Sequence, residues 1–113
     1  MGYVRHNAIV VTSWSEGLIA DAAEVARAKG LRVLGPSDEA TNMYRSILVC
    51  PDGSKEGWGE SDTNDQRRQS FRLWLRDKAH EDGSTSLEWV EIAYGNDDAG
   101  VEVVATAWQP IRG

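Results

Sequence analysis

The chain has 113 residues, which fits a single domain spanning 1–113, and its 18 acidic and 12 basic side chains give a net charge of −6. Such a chain is a poor partner for duplex nucleic acid, because binding to the phosphate backbone needs clustered positive charge. One cysteine excludes an intrachain disulfide, no apolar run reaches the roughly 18 residues of a membrane span, and the N-terminus lacks the apolar core of a signal peptide. We therefore expect a cytoplasmic protein with no membrane partner.

Seven segments have the hydrophobic periodicity or the β-branched composition of regular secondary structure. In chain order they are a strand at 8–13, a helix at 16–29, strands at 31–34 and 44–50, a helix at 66–80, and strands at 87–94 and 101–108. Ser13 with Glu16, and Thr63 with Gln66, have the spacing of a capping box at the two helix starts. Gly30 is predicted to end the first helix in the left-handed conformation.

The order β-α-β-β-α-β-β predicts an α+β fold with two layers, in which two helices pack on a mostly antiparallel sheet. The last two strands are predicted to form an antiparallel hairpin around the turn at 95–100. The first two strands could instead be joined by a right-handed parallel crossover. The strand at 87–94 is apolar on both faces, which indicates that it is central, bulged or part of a subunit interface.

Few residues carry the chemistry of catalysis or metal binding. His6 and His80 stand outside any motif, and Cys50 ends an apolar strand, where a thiol is usually buried and inert. One cysteine and two histidines at unrelated positions do not make a zinc site, and no EF-hand pattern is present. Glu88 and Glu91 would point to opposite faces of a regular strand, which weakens any acid-base pair. The sequence therefore predicts no catalytic residue, no metal and no cofactor.

The connection at 50–62 is rich in glycine and contains Lys55 and Trp58. It lacks the glycine and lysine pattern of a Walker phosphate loop. Its backbone could still form a nest of N–H groups that faces an anion, with Lys55 adding charge and Trp58 stacking on a ligand. An ordinary connection between a strand and a helix fits the same residues.

Arginines are concentrated on the second predicted helix. Arg68, Arg72 and Arg76 repeat at intervals of four residues and form one stripe, on which like charges repel each other. Such a stripe is compatible with a solvated face, with compensating acids, or with guanidinium groups that bind a phosphate in a bidentate manner. In the last case, replacing Arg68 and Arg72 with Ala should weaken an anionic ligand and leave the fold intact. Five tryptophans also favour a pocket or an interface, because a small core does not easily accommodate them all.

Three segments together resemble a family of small phage-encoded proteins, the Thoeris anti-defence sponges. These segments are 6–14 (HNAIVVTSW), 51–58 (PDGSKEGW) and 82–91 (DGSTSLEWVE), so that the resemblance runs across most of the chain. Members of that family are oligomers without enzymatic activity, which bind cyclic ADP-ribose signals, and in some cases cyclic oligonucleotides, and hide them from the host effector. The resemblance therefore implies a homo-oligomer in the host cytoplasm that sequesters a small anionic nucleotide without cleaving it.

A sponge needs aromatic planes for a base and cationic side chains for phosphate groups. On these chemical grounds the predicted ligand-binding residues are Trp14, Arg45, Lys55, Trp58, Arg68, Phe71 and Arg72. One alternative is an acidic phage protein that inhibits a host protein by direct binding, which surplus tryptophans would serve equally well. Another is a nuclease, hydrolase or lyase that acts on a signalling nucleotide through His6, Arg72 and a carboxylate.

Overall fold

A computed structural model of the protein describes residues 4–51, 54–55, 59–82, 84–95 and 100–108. Six strands are present in these segments: β1 (Val4–Ser13), β2 (Val33–Leu34), β3 (Arg45–Val49), β4 (Ser54–Lys55), β5 (Glu88–Tyr94) and β6 (Glu102–Thr106). The helices are α1 (Glu16–Ala28), α2 (Gly59–Asp77) and a short 3-10 helix at Thr41–Met43. The α+β class, with two α-helices packed on an antiparallel sheet, is confirmed.

Five strands form the main sheet in the order β2-β3-β1-β5-β6, and every neighbouring pair is antiparallel. The short strand β4 pairs with the first residues of β1. Strand β1 is therefore central. Strands β1 and β2 point in the same direction, but β3 lies between them, so that α1 connects two parallel strands that are not neighbours in the sheet.

Both helices cover one face of the sheet, and the core lies between this face and the helices. The odd-numbered residues Ile9 and Val11 of β1 point to this face and belong to the same buried cluster as Ile19 of α1, Phe71 of α2 and Trp89 of β5. Three buried alanines also place α1 close to the sheet, because a methyl side chain keeps the two backbones near each other. The even-numbered residues of β1 point to the opposite face, which we name the open face.

Strand β5 lies between β1 and β6, and its pairing with β6 contains a register shift between Glu91 and Ile92. Consecutive residues of β5 face Ala105 and Val103, so that the extra residue, Val104, belongs to β6. Of the three explanations for the apolar faces of β5, the internal position in the sheet is therefore confirmed, whereas β5 itself is not bulged. The antiparallel hairpin of β5 and β6 is confirmed as well.

The N-terminal caps differ from those predicted. Helix α1 begins at Glu16, but its cap is Ser15, whose Oγ accepts a hydrogen bond from the Leu18 backbone N–H at 3.3 Å. Ser13 still belongs to β1, and its buried Oγ accepts from the Ser15 N–H at 3.0 Å. The capping box predicted for Ser13 is wrong because the strand extends through that residue.

Helix α2 begins at Gly59, well before the predicted start at 66. Thr63 consequently lies inside the helix, where its Oγ1 donates to the Gly59 carbonyl at 3.0 Å, and the second predicted capping box is wrong. The prediction for Gly30 is confirmed, since its φ is +89° directly after the C-cap Lys29. Within the described residues, neither helix combines the length and the apolarity needed to cross a bilayer.

Candidate functional site

The arginine stripe of α2 faces β5. Arg72 donates to Oε1 of Glu91, and Nε of Arg68 lies 3.7 Å from Oε2 of the same carboxylate. The guanidinium group of Arg76 lies over the Trp89 ring, 5.6 Å from its centroid. Every fourth residue of a helix is about 6 Å further along, and every second residue of a strand about 6.8 Å. The step from Arg72 at Glu91 to Arg76 at Trp89 is therefore matched on the two elements, with α2 running antiparallel to β5.

Glu91 is a buried carboxylate with several polar partners. It is 1% exposed, and besides the two arginines it accepts a hydrogen bond from Nδ2 of Asn7 at 3.2 Å. Arg68, which is 2% exposed, also pairs with Asp65 at the surface. A buried ion of this kind is tolerated only while its partners are in place. We therefore expect the loss of both Arg68 and Arg72 to destabilise the protein, in contrast to the sequence-based expectation.

A cavity of about 440 Å³ lies between the end of α1, the end of β3 and the N-terminal half of α2. Its described lining residues are Gly30, Leu31, Arg32, Cys50, Pro51, Asn64, Arg67 and Arg68. We name this cavity the arginine cleft. Three of these side chains are cationic and none is a carboxylate. Arg68 forms the buried floor, whereas Arg32 and Arg67 are exposed at the opening.

Arg67 packs against the backbone at the end of α1. A Cβ added to Gly30 would lie 3.0 Å from Cζ and Nε of Arg67, so that the glycine leaves the room that the guanidinium group occupies. Nη1 of Arg67 donates to Oδ1 of Asn64 at 3.3 Å. Among the residues that the structure describes, neither Arg67 nor Arg32 forms an ion pair. Two guanidinium groups at the opening of the cleft can thus accept an external anion.

A second cavity of about 570 Å³ adjoins the arginine cleft and shares Asn64 and Arg67 with it. It is also lined by Gly59 and Thr63, in the first turns of α2. Arg67 is the cationic side chain among these four residues, and its guanidinium group favours negative charge in this space as well. Arg67 therefore stands between two spaces that both suit anionic groups.

Two of the residues predicted to bind ligand lie elsewhere. Trp14 and Arg45 line a separate cavity of about 230 Å³, together with residues that include Glu39 and Met43. Arg45 lies 3.9 Å from Glu39 in an ion pair. Because Arg45 begins β3 and the arginine cleft lies where β3 ends, the structure does not bring Trp14 and Arg45 together with Arg68.

The other predicted residues are distributed between the core and the cleft. Phe71 is fully buried, and its ring stacks on Trp74 with centroids 6.1 Å apart. Arg68 lines the cleft, and Arg72 is engaged by Glu91. The backbone of Lys55 belongs to β4, but its side chain and the whole of Trp58 lie outside the described residues, as does most of the predicted nest.

The histidines and the cysteine do not form a metal site with the acidic residues of the described segments, where no group of three or more such side chains could hold an ion. The His6 ring packs against Tyr94 with centroids 5.3 Å apart, and Nε2 of His80 lies 3.4 Å from Oγ of Ser86. Neither histidine lines the arginine cleft, whereas Cys50 does.

Sequence reasoning missed Arg32, Arg67 and Asn64 as site residues, and it missed the buried position of Glu91. Arg67 gave one usable signal, because it lies on α2 but off the stripe that begins at Arg68. Glu91 gave a second usable signal. It lies two residues after Trp89 and four after Leu87, so that in a strand its side chain points to the same face as these two apolar residues. An acid at such a position calls for a cationic partner from the layer above.

Comparison of the chain with protein-family models, with curated proteins and with solved structures found no match in any of the three.

Proposed function

We propose that this protein binds a small phosphorylated ligand of the nucleotide class in the arginine cleft and sequesters it without chemical change. One observation carries the proposal: Arg32 and Arg67 line the same cavity, and within the described chain no carboxylate engages either guanidinium group. Guanidinium groups bind phosphate oxygens through paired N–H donors. A local pair of cations can attract an anion even to a chain whose net charge is −6.

The dimensions and the lining of the cleft support a nucleotide better than a bare inorganic ion. A cavity of about 440 Å³ has the size of a small-molecule site. Leu31 and Pro51 supply apolar surface for a base or a ribose, and the Asn64 amide can donate to or accept from a base edge. The adjoining cavity at the start of α2 gives a second anionic group a place on the other side of Arg67.

The resemblance to the Thoeris anti-defence sponges gives the proposal its specific form. In this form a phage protein binds cyclic ADP-ribose isomers, or cyclic oligonucleotides, in the host cytoplasm. In sequestration, each binding site removes one signal molecule from solution. The signal stays bound only if the dissociation constant lies well below the concentration at which the signal acts. A nanomolar site corresponds to about 12 kcal/mol at the standard state.

Calorimetry with ADP-ribose and cyclic ADP-ribose tests the site. We expect Arg32→Gln and Arg67→Gln each to weaken binding by roughly tenfold to a hundredfold, because a hydrogen bond to a charged group contributes about 1.5–3 kcal/mol. Lys78→Gln is the matched control, since it removes one positive charge from an exposed position after the end of α2. Equal affinities in all three variants would exclude the arginine cleft.

The single cysteine provides an independent measurement. Cys50 lines the cleft, so that a ligand seated there should slow the reaction of its thiol with an aromatic disulfide reagent. The same sample can then be denatured by heat and the released compound identified by mass spectrometry. Recovery of intact ligand supports sequestration, whereas recovery of a cleavage product would assign an enzymatic activity to the protein.

The exposed indoles of Trp14 and Trp108 favour a second candidate function, the inhibition of a host protein by direct binding. Affinity capture from a host lysate distinguishes the two. If the protein is a direct inhibitor, the wild type and Arg67→Gln should each capture a host protein in stoichiometric amount. The variants Trp14→Ala and Trp108→Ala should not capture it. A sponge recovers no such partner.

A further inference from the structure

The open face of the sheet carries two rows of apolar side chains that run across the strands. In the first row, the register pairs Leu34 with Leu48, Leu48 with Val10, and Val10 with Val90. In the second row, Ala8 pairs with Ile92 and Ile92 with Val103. None of these residues belongs to the core cluster beneath the helices. The rows extend from β2 at one edge to β6 at the other.

The described strand residues of this face carry almost no charge, so that a second copy of the same apolar surface is not repelled there. Among the described strand residues that point to it, Glu88 is the only carboxylate, and it is the first residue of β5. The chain as a whole carries a net charge of −6. Two copies can therefore meet through their open faces with most of their acidic side chains outside the contact.

The area of the face matches what a dimer requires. The five strands hold 10, 2, 5, 7 and 5 residues, which corresponds to about 460 Å² of sheet plane at about 16 Å² per residue. Two such faces bury about 900 Å² in projection, and more when the relief of the side chains is included. The projected area alone falls just short of the roughly 1,000 Å² of a specific interface, and the relief of the side chains brings the contact to that size.

The face also contains a protrusion and a groove that fit each other. Val103 stands out from β6 and is 59% exposed. A groove of about 450 Å³ lies on the same face near the opposite edge of the sheet. Its lining residues include Leu34, Leu48 and Val10. A two-fold axis that lies between two stacked sheets and runs parallel to their strands places β6 of one copy over β2 of the other.

From these observations we propose that the protein forms a homodimer through its open face, with Val103 of each copy seated in the groove that Leu34 and Leu48 form in the other. The arginine clefts lie on the helix side of both sheets and stay accessible in this dimer. The proposal is independent of the ligand, since it uses neither Arg32 nor Arg67.

Light scattering coupled to size-exclusion chromatography tests the dimer with the full chain. We expect a dimer for the wild type, a monomer for Val103→Lys and Leu34→Lys, and a dimer for the control Leu73→Lys. All three side chains are similarly exposed, at 59%, 62% and 58%, but Leu73 lies on α2. Circular dichroism checks that each variant is folded. A monomeric wild type, or Val103→Lys and Leu34→Lys variants that dimerise like the control, would overturn the proposal.

Disulfide trapping tests the orientation of the two copies and does not depend on a loss of association. In a Cys50→Ser background, a mixture of the Val103→Cys and Leu34→Cys proteins should give a crosslinked heterodimer, whereas each protein alone should not. If Val103→Cys alone crosslinks, the copies pair through the edges of β6 or with β6 over β6, and the proposed arrangement is wrong. Absence of any crosslink in the mixture also contradicts it.

Discussion

Arg72 donates a hydrogen bond to Glu91 beneath α2, and this contact links a partly exposed side chain to one that is buried. The Glu91 carboxylate also accepts a hydrogen bond from Asn7 and lies near Arg68. One acid on β5 therefore binds polar side chains from β1 and from two successive turns of α2. Removing a single partner from a buried ion pair costs more than the pair itself contributes, because the other charge is left without compensation.

Glu91→Gln should lower the free energy of unfolding by about 3 kcal/mol, because it leaves Arg68 and Arg72 without the buried carboxylate. Urea denaturation followed by circular dichroism measures the effect. Glu88→Gln is the control on the same strand, at a position that points to the open face, and should change stability by less than about 0.5 kcal/mol. Equal midpoints for the two variants would contradict a structural role for the Glu91 carboxylate.

The paired replacement Arg68→Ala with Arg72→Ala should destabilise the protein by several kcal/mol, because both ionic partners of Glu91 disappear together. Adding Glu91→Leu should recover part of the loss, since no charge is then buried alone. The triple variant and the paired variant are compared in urea. A triple variant less stable than the paired one would show that Glu91 contributes by other means than its ion pairs.

Gly30→Ala should lower the free energy of unfolding by about 1–2 kcal/mol, because an L side chain is strained at a φ of +89°. The new methyl group should also displace the Arg67 guanidinium group, which lies 3.0 Å from the position of that Cβ, and should thereby weaken binding in the arginine cleft. Gly17→Ala is the control, since a Cβ there meets nothing within 4 Å on α1. It should raise stability by about 0.4–1 kcal/mol. Thermal unfolding measures both effects. Melting temperatures that are both above or both below that of the wild type would contradict this account.

The Ser84 hydroxyl lowers the pKa of Asp82 below its ordinary value of 3.8, and the Ser84 backbone N–H adds to the effect. The two donors lie 2.6 Å and 2.9 Å from Oδ1 of Asp82. Because the folded pKa is depressed, the contribution of this group to stability is present above pH 3.8 and is lost as the pH falls through the folded pKa. In an NMR titration, Ser84→Ala should raise the pKa of Asp82 toward 3.8, and Ser86→Ala should raise it less.

The local patterns of the chain were sufficient for most of the fold. The alternation in β1 and β5 and the small residues of α1 depend on which face of an element is buried, which short-range periodicity reveals. The start of α2 at Gly59 could not be predicted in this way, because residues 59–66 are polar and have no apolar stripe. The extra strand β4 has only two residues, too few for any periodicity.

The candidate site was less predictable because it joins residues that are distant in sequence. The arginine cleft combines 30–32, 50–51 and 64–68, and these segments meet only after the strand order is fixed. The partner of the arginine stripe depends likewise on which strand lies under α2. Sequence reasoning identified the cationic side chains of α2, but it could not separate those that Glu91 neutralises from Arg67, which faces the cleft.

The central position of β1 has a consequence for the order in which the protein can assemble during synthesis. His6 pairs with Tyr94 and Thr12 with Glu88, so that β1 leaves the ribosome long before β5, the strand that covers its second edge. Until then β1 can pair only with β3 and, at its first residues, with β4, and the edge that β5 later covers offers free N–H and C=O groups to any neighbouring chain. Pairings of such long range slow folding, and the nascent chain is therefore expected to depend on chaperones.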